Sequence, residues 1–447
     1  MRLKMAPSDF RVREELSYVP SAKGDYYVHV LTKEKVDTLT ALGIVAREAG
    51  VTRAEIAFAG LKDRQGRTEQ WISIRGRRLD FVGQGVQVRY VGRSDEPVNS
   101  KMSGGNHFAI VARDMSPFEA IRVRRNLPAV RQSGFPNYFD DQRFGCLRHG
   151  QGFVMRELLL GHDERALAQI LARPSPIAIA GDVKLKRALQ RHWGDFETCL
   201  KIARGPIYER VFTHLLRNRG DFRGALALLP ERMKLIHAFA YQSFLWNRAV
   251  VRLLLGIVPQ KERLLLQSLG GQLVAWRYAS PEVVSVLETI ETPLYGADGD
   301  GGHPDFRRAM HATLIAEGLT EDRFRTVAIP GMFLKSEPRP LLVHPADLVV
   351  RDPAPDERNR GRMKIEFSFA LPRGSYATLL LKRLFAETGR RGENGFRNPG
   401  EQDRIGYRDR PPHRGPVRGA FQPRPPHGLG RGPRSDERPP PRPRRDS

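Results

Sequence analysis

Phe58-Ala59-Gly60-Leu61-Lys62-Asp63-Arg64-Gln65-Gly66-Arg67-Thr68-Glu69-Gln70-Trp71 is the stretch on which the reading of this chain turns. The apolar run Ile56 to Ala59 leads into it, and the alternating run Trp71-Ile72-Ser73-Ile74 leads out, a pattern of strand, polar turn and strand. The turn sets one acid, Asp63, between two cations, Lys62 and Arg64. Gly60 and Gly66 admit backbone angles that other residues resist. Thr68 and Gln70 are two apart, so an extended strand points both to one face. A carboxylate on a loop held between strands, with cations to keep it ionised, suits a nucleophile or a base. The same residues also suit a solvated turn, since Asp favours turns.

On the N-terminal side, Asp9 to Glu15 alternates at Phe10 and Val12 as a half-buried strand does, and Tyr26 to Leu31 reads as a second strand. Thr38 is placed to cap a helix through Leu39, Leu42, Val45, Ala46 and Ala49. On the other side come strands around Val86 to Val91 and Phe108 to Val111. Ser116-Pro117-Phe118-Glu119 is then a capping box that starts a helix. Strands and helices mix without strict alternation, which predicts an α+β domain with a largely antiparallel sheet. Phe135-Pro136-Asn137-Tyr138-Phe139-Asp140-Asp141-Gln142-Arg143-Phe144-Gly145 gathers aromatics, an amide and an arginine in one loop. Such groups stack and hydrogen-bond bases, and some of these aromatics must instead pack the core.

From Val154 to Thr326 the pattern turns helical, most clearly over Leu235 to Leu255, where Phe239, Ser243, Trp246, Val250 and Leu253 share a side. Strand character returns at Leu341-Leu342-Val343 and Ile365 to Phe369, and a last helix runs from Leu379 to Glu387. The economical organisation is one catalytic domain built from residues 1–153 and 331–389, interrupted by a helical insertion over 154–330. Insertions of that kind are tolerated at exposed loops. Residues 390–447 hold 15 Arg, 12 Pro and 9 Gly with hardly an aliphatic side chain, a composition expected to stay disordered. Such a tail adds sequence-tolerant RNA affinity or serves only as a solubilising extension.

Among 447 residues, Lys and Arg number 74 against 50 Asp and Glu, a net charge of +24. The tail contributes +8 of this, so +16 belongs to the remainder, and a basic globular surface points to a polyanion such as nucleic acid. No long uncharged apolar run marks a membrane helix, and Met1 to Pro7 lacks the apolar centre of a signal peptide. Two cysteines, Cys146 and Cys199, make neither a disulfide framework nor a zinc pattern and fit a reducing cytosol. The loop at Asp298 lacks the closing glutamate of a calcium-binding loop, with Ala309 in its place, and the 12 histidines show no metal-ligand spacing.

Gly60-Leu61-Lys62-Asp63 with Thr68 and Gln70, and Asn137-Tyr138-Phe139 with Gln142-Arg143-Phe144-Gly145, resemble two motifs of the TruD family of tRNA pseudouridine synthases. Asp9-Phe10-Val12, Lys33 with Thr38, Gln242-Ser243 with Trp246-Asn247, Arg339-Pro340-Leu341, and Leu371 to Thr378 fall in the family's order, so the resemblance runs from Asp9 to Gly389. Two residues depart from it: Asp140 stands where the family usually has glycine, and Trp246 where it has phenylalanine. Asp140 adds an acid beside the expected base site, with scope to alter substrate fit.

The resemblance implies a pseudouridine-synthase catalytic domain carrying a family-specific insertion. It implies isomerisation of uridine to pseudouridine, usually uridine-13 of tRNA, without cofactor or metal. Asp63 is then the catalytic residue, with Lys62 or Arg143 as its ionic partner. Phe139 would stack on the extruded uridine and Asn137 would bond the base edge, with Lys62, Arg143, Thr68 and Gln70 also in the binding set. The insertion would grip the tRNA backbone. A monomer in the cytoplasm, off the membrane, is expected. The alternatives are a non-catalytic RNA-binding protein on the same fold, or the same chemistry on mRNA or another RNA.

Overall fold

A computed structural model describes residues 1–387 except 148, 149, 151, 176, 177, 299, 300, 328 and 333. The tail expected to be disordered, 390–447, lies outside the described residues. The N-terminal part runs β1 (Phe10–Leu16), β2 (Tyr26–Glu34), α1 (Thr38–Ala49), β3 (Ile56–Phe58), β4 (Arg67–Arg75), β5 (Phe81–Gly83), β6 (Val86–Ser94), β7 (Ser103–Met115), α2 (Pro117–Ser133) and β8 (Phe135–Pro136). Helices then dominate: α3 (Val154–Leu159), α4 (Asp163–Ala172), α5 (Ala180–Arg191), α6 (Phe196–Ile202), α7 (Pro206–Arg217), α8 (Phe222–Ala227) and α9 (Glu231–Ile257). A hairpin of β9 (Arg263–Leu266) and β10 (Leu273–Trp276) follows, then α10 (Pro281–Thr289), α11 (Pro304–Ala316) and α12 (Glu321–Thr326). The chain returns through β11 (Leu342–Val343), β12 (Ala346–Val350), β13 (Ala354–Pro355) and β14 (Met363–Leu371) to α13 (Ala377–Leu384).

The main sheet has the order β12-β14-β7-β1-β4-β2-β6-β5, with β13 beside β14 and β3 beside β4. Among the described strands only β1 and β4 run parallel, so the sheet is largely antiparallel, as its alternating sequence predicts. β1 shows the alternation directly: Phe10, Val12 and Glu14 are buried while Arg11 and Arg13 face out. Gly66, at the end of the turn between β3 and β4, is there for space: a Cβ would sit 2.4 Å from the Phe10 carbonyl oxygen. A small core of Leu31, Leu42, Val45, Ile72 and Ile74 seats α1 on one half of the sheet. A larger core joins the other half, α2 and α13 to the helical segment without interruption.

Two local expectations are corrected. The cap of α1 is Asp37, whose carboxylate accepts the Thr40 amide at 3.1 Å; Thr38 is buried and faces the turn between β3 and β4 instead. In α9, Phe239 is exposed, because the helix is enclosed on every side from Ala240 to Val251 and needs no single apolar stripe. Among the described residues no helix is long and apolar enough to cross a membrane.

Candidate active site

The turn between β3 and β4 is fixed from below by two buried side chains. Lys33 on β2 donates from Nζ to the carbonyl oxygens of Asp63 at 2.7 Å and Lys62 at 3.3 Å. Thr38 Oγ1 accepts the Lys62 amide at 3.0 Å. With its backbone held this way, Asp63 presents its carboxylate to a cavity of about 280 Å³. Phe10, Val12 and Phe108 of the sheet, Phe139, and Tyr376 with Ala377 at the start of α13 supply apolar walls. Lys4, Lys62, Arg143 and Arg339 add four cations, and Asp63 is the one carboxylate among the described residues that line it.

Lys4 Nζ donates to Asp63 Oδ2, and the Gln65 amide donates to Oδ1 at 2.8 Å. Burial by itself would raise the Asp63 pKa. The Lys4 hydrogen bond, the Gln65 amide and the charges of Lys4 and Lys33 outweigh it and hold the carboxyl below its ordinary value. Lys4 also lies over the Phe10 ring, 4.3 Å from its centroid. The ionic partner expected for Asp63, Lys62 or Arg143, is therefore corrected to Lys4. Lys62 pairs at 2.5 Å with Glu14, a buried carboxylate that would otherwise lack a cation, and Arg143 sits 5.5 Å from the Phe139 centroid.

The expected binding residues divide into two groups. Phe139, Lys62 and Arg143 line the cavity; Asn137, Thr68 and Gln70 do not. Thr68 and Gln70 do share a face of β4, but it is the face buried beneath the turn, where Gln70 Nε2 donates to Gly60 O at 3.4 Å. Asn137 is committed to protein partners: its Nδ2 donates to Pro340 O at 3.2 Å and its Oδ1 accepts from Arg339 at 3.1 Å. It holds Arg339 in place and is buried outside the cavity lining. Asp140 likewise turns away from the cavity. Its carboxylate accepts from Thr378 Oγ1 and from Lys382 Nζ at 2.6 Å.

Sequence reasoning left Lys4 and Arg339 without a role. The signal for Lys4 is faint, a single lysine before the first strand. Arg339 sits in an Arg-Pro-Leu run far along the chain. Its guanidinium lies 3.8 Å over the Phe139 centroid and donates to Asn137 O at 3.0 and 2.6 Å. Phe139 is pinned through its backbone as well: its amide donates to Asn247 Oδ1 at 2.9 Å, and its carbonyl accepts from Asn247 Nδ2 at 2.8 Å. Among the described residues no group of three or more His, Cys, Asp or Glu converges as metal ligands would.

A family profile, tRNA pseudouridine synthase D (TruD), matches residues 1–384. A relative from Methanocaldococcus jannaschii, named "Probable tRNA pseudouridine synthase D 2", is 30% identical over 86% of this chain and 92% of its own length. The tRNA pseudouridine synthase D of Aquifex aeolicus is 29% identical over 86% of this chain and 98% of its own. A crystal structure from Methanosarcina mazei, assigned to the same TruD type, superposes with a TM-score of 0.64 at 24% identity, covering 86% of this chain and 93% of that one.

Proposed function

The chain belongs to the TruD family of tRNA pseudouridine synthases, isomerases that act on RNA, and from that premise we propose that it converts uridine-13 in the D-arm of tRNA to pseudouridine with Asp63 as the reacting carboxylate. The observation that carries this reading is the ion pair of Asp63 with Lys4 at the wall of an aromatic, cationic cavity.

The reaction breaks the bond from ribose C1′ to base N1, turns the base and joins C1′ to C5, with C5 giving up a proton and N1 taking one up. It is redox-neutral and brings in no outside group, so the work falls to a carboxylate, a closed pocket and a grip on the free uracil. Attack at C1′, addition at C6 and removal of a C2′ proton all need the carboxylate ionised, and the Lys4 pair provides this. A stacked uridine hides these atoms, so it must be extruded into the cavity. Phe139 is the ring on which it rests, at roughly 1–3 kcal/mol per stacked base. Arg143 and Lys62 draw in the flanking phosphates. Residues 1–153 and 331–389 act as the catalytic domain, and 154–330 as the opposite wall that grips the tRNA backbone. The protein works as a monomer in the cytoplasm.

Pseudouridine mapping on RNA from cells lacking the protein, complemented with wild type or Asp63→Ala, tests the reading. The expected result is one D-arm site restored by wild type alone, with transfer RNA still bound by the variant. Identical maps from the two complemented strains would overturn it.

A further inference from the structure

Two residues that line the cavity each carry a buried oxygen without a partner among the described residues. Asn106 and Ser375 both line it, and the Asn106 Oδ1 and Ser375 Oγ atoms are buried without a hydrogen bond among the described residues. Buried polar atoms are nearly always paired, so two orphans on residues that line one cavity call for a ligand. Asn106 is also rigidly placed. It stands in the middle of the sheet, opposite Glu14 on β1 and Leu371 on β14. The residue before it, Gly105, has φ of 155°, and a Cβ there would lie 2.6 Å from the Leu371 carbonyl oxygen. Glycine thus lets the two strands close on either side of Asn106. Ser375 follows β14, its amide bonded to Pro372 O at 3.3 Å.

The rest of the polar lining is rich in donors. Lys4, Lys62, Arg143 and Arg339 can only donate, Asp63 already accepts from Lys4 and Gln65, and Gln142, Tyr376 and Thr378 can accept but are not among the buried atoms without a partner. The two ring carbonyls of uracil find ready partners there, but its N3–H needs an acceptor. We propose that Asn106 Oδ1 accepts the N3–H of the target uracil, assisted by Ser375, and serves as the pivot about which the detached base turns. This rests on the pseudouridine-synthase reading. The exchange of N1 for C5 at the ribose is a half-turn about the line joining N3 and C6. That rotation interchanges N1 with C5 and C2 with C4, so each carbonyl oxygen arrives where the other left. N3 and C6 stay on the axis. A hydrogen bond to N3–H is therefore the one base contact that need not break during the rearrangement.

The test uses full-length enzyme and tRNA transcripts carrying uridine or N3-methyluridine at the target position. Removing the acceptor in Asn106→Ala leaves a buried donor unpaired and lowers single-turnover rate on uridine by about 10- to 100-fold. Binding of the tRNA changes little, because phosphate contacts dominate it. The methylated substrate is slowed on the wild-type enzyme, and Asn106→Ala slows it no further, since both changes remove the same bond. Asn106→Asp, which keeps an acceptor in place, retains roughly tenfold more activity than Asn106→Ala; thermal melting of both variants separates misfolding from chemistry. A rate for Asn106→Ala within threefold of wild type, or losses from mutation and methylation that multiply in full, would overturn the pivot. Absence of turnover by wild type would instead overturn the reading on which it rests.

Discussion

Lys4 and Asp63 lie 59 residues apart in the chain and meet as an ion pair at the cavity wall. Lys4 holds a left-handed φ of 61°, a conformation that costs an L residue energy and persists where its surroundings impose it. Those surroundings are specific. The Ala6 amide donates to Asp9 Oδ2 at 2.8 Å, and Asp9 Oδ1 accepts from Arg113 at 2.9 Å. Arg113 in turn reaches Asp356 at 3.0 Å.

Replacing Lys4 with methionine removes the main influence that opposes burial at Asp63. The carboxyl then takes up a proton at higher pH than in wild type. Because the ionised form reacts, the acid limb of kcat/KM against pH moves upward while the alkaline limb stays. A profile superimposable on wild type would show that Lys4 does not set the charge of Asp63.

The seat of Phe139 depends on a planar cation. Arg339 stacks on its ring and fans four contacts to Asn137 O, Asn137 Oδ1 and Gly374 O. A lysine carries the charge but neither the plane nor the fork. Arg339→Lys should cost roughly 1–3 kcal/mol in chemical denaturation and lower kcat/KM about tenfold or more. Phe139→Ala should lower kcat/KM as well, with part of the loss arising from a displaced Arg339.

Lys33 gives a pH signature of the opposite kind. Burial pushes its amine down to about 8, against the pull of Asp63 and Asp37. Below that pH both folded and unfolded chains carry the proton, and the fold bears the cost of burying it. Between about 8 and the ordinary lysine value the unfolded chain keeps the proton and the folded chain does not, so stability rises with pH there. Wild type should therefore gain stability relative to Lys33→Met as pH climbs through that window, as read by denaturant unfolding at fixed salt. A constant difference would assign Lys33 an ordinary pKa.

Lys382 neutralises two acids at once, Asp140 at 2.6 Å and Asp141 at 2.8 Å. Asp141 Oδ1 also accepts from Ser268 Oγ and the Leu269 amide, each at 2.8 Å, so this cluster ties α13 to the β9–β10 hairpin. Lys382→Met should destabilise by roughly 3 kcal/mol, because it strands a buried carboxylate. Adding Asp140→Asn should recover part of that loss, measured as the midpoint of urea unfolding.

The sequence made the sheet and the long helices readable because their side chains alternate or repeat with a period that burial enforces. The same periodicity placed Asp63 on a turn between strands. It could not say which face of β4 was the inner one, so Thr68 and Gln70 were paired correctly with each other but lie beneath the turn. The hairpin Arg263–Trp276 left little trace: its strands are four residues each, and β10 is buried on both sides, which erases alternation. Lys4, Arg339 and Asn106 come from three distant parts of the chain. Their convergence is a property of strand order, which no local pattern carries. The Asn137 amide suits a base edge by type, and only the fold shows that it serves Pro340 and Arg339.

The order of the sheet also governs how the enzyme comes into being. β7, 13 residues long, lies inside the sheet between β1 and β14. During synthesis one of its sides can pair with β1 at once, while the other waits until every helix of the intervening segment has been made. For that interval the growing chain carries a long open edge, the kind of surface on which chains aggregate. The fate of any chain truncated before β14 is thereby decided by topology before the first uridine is met.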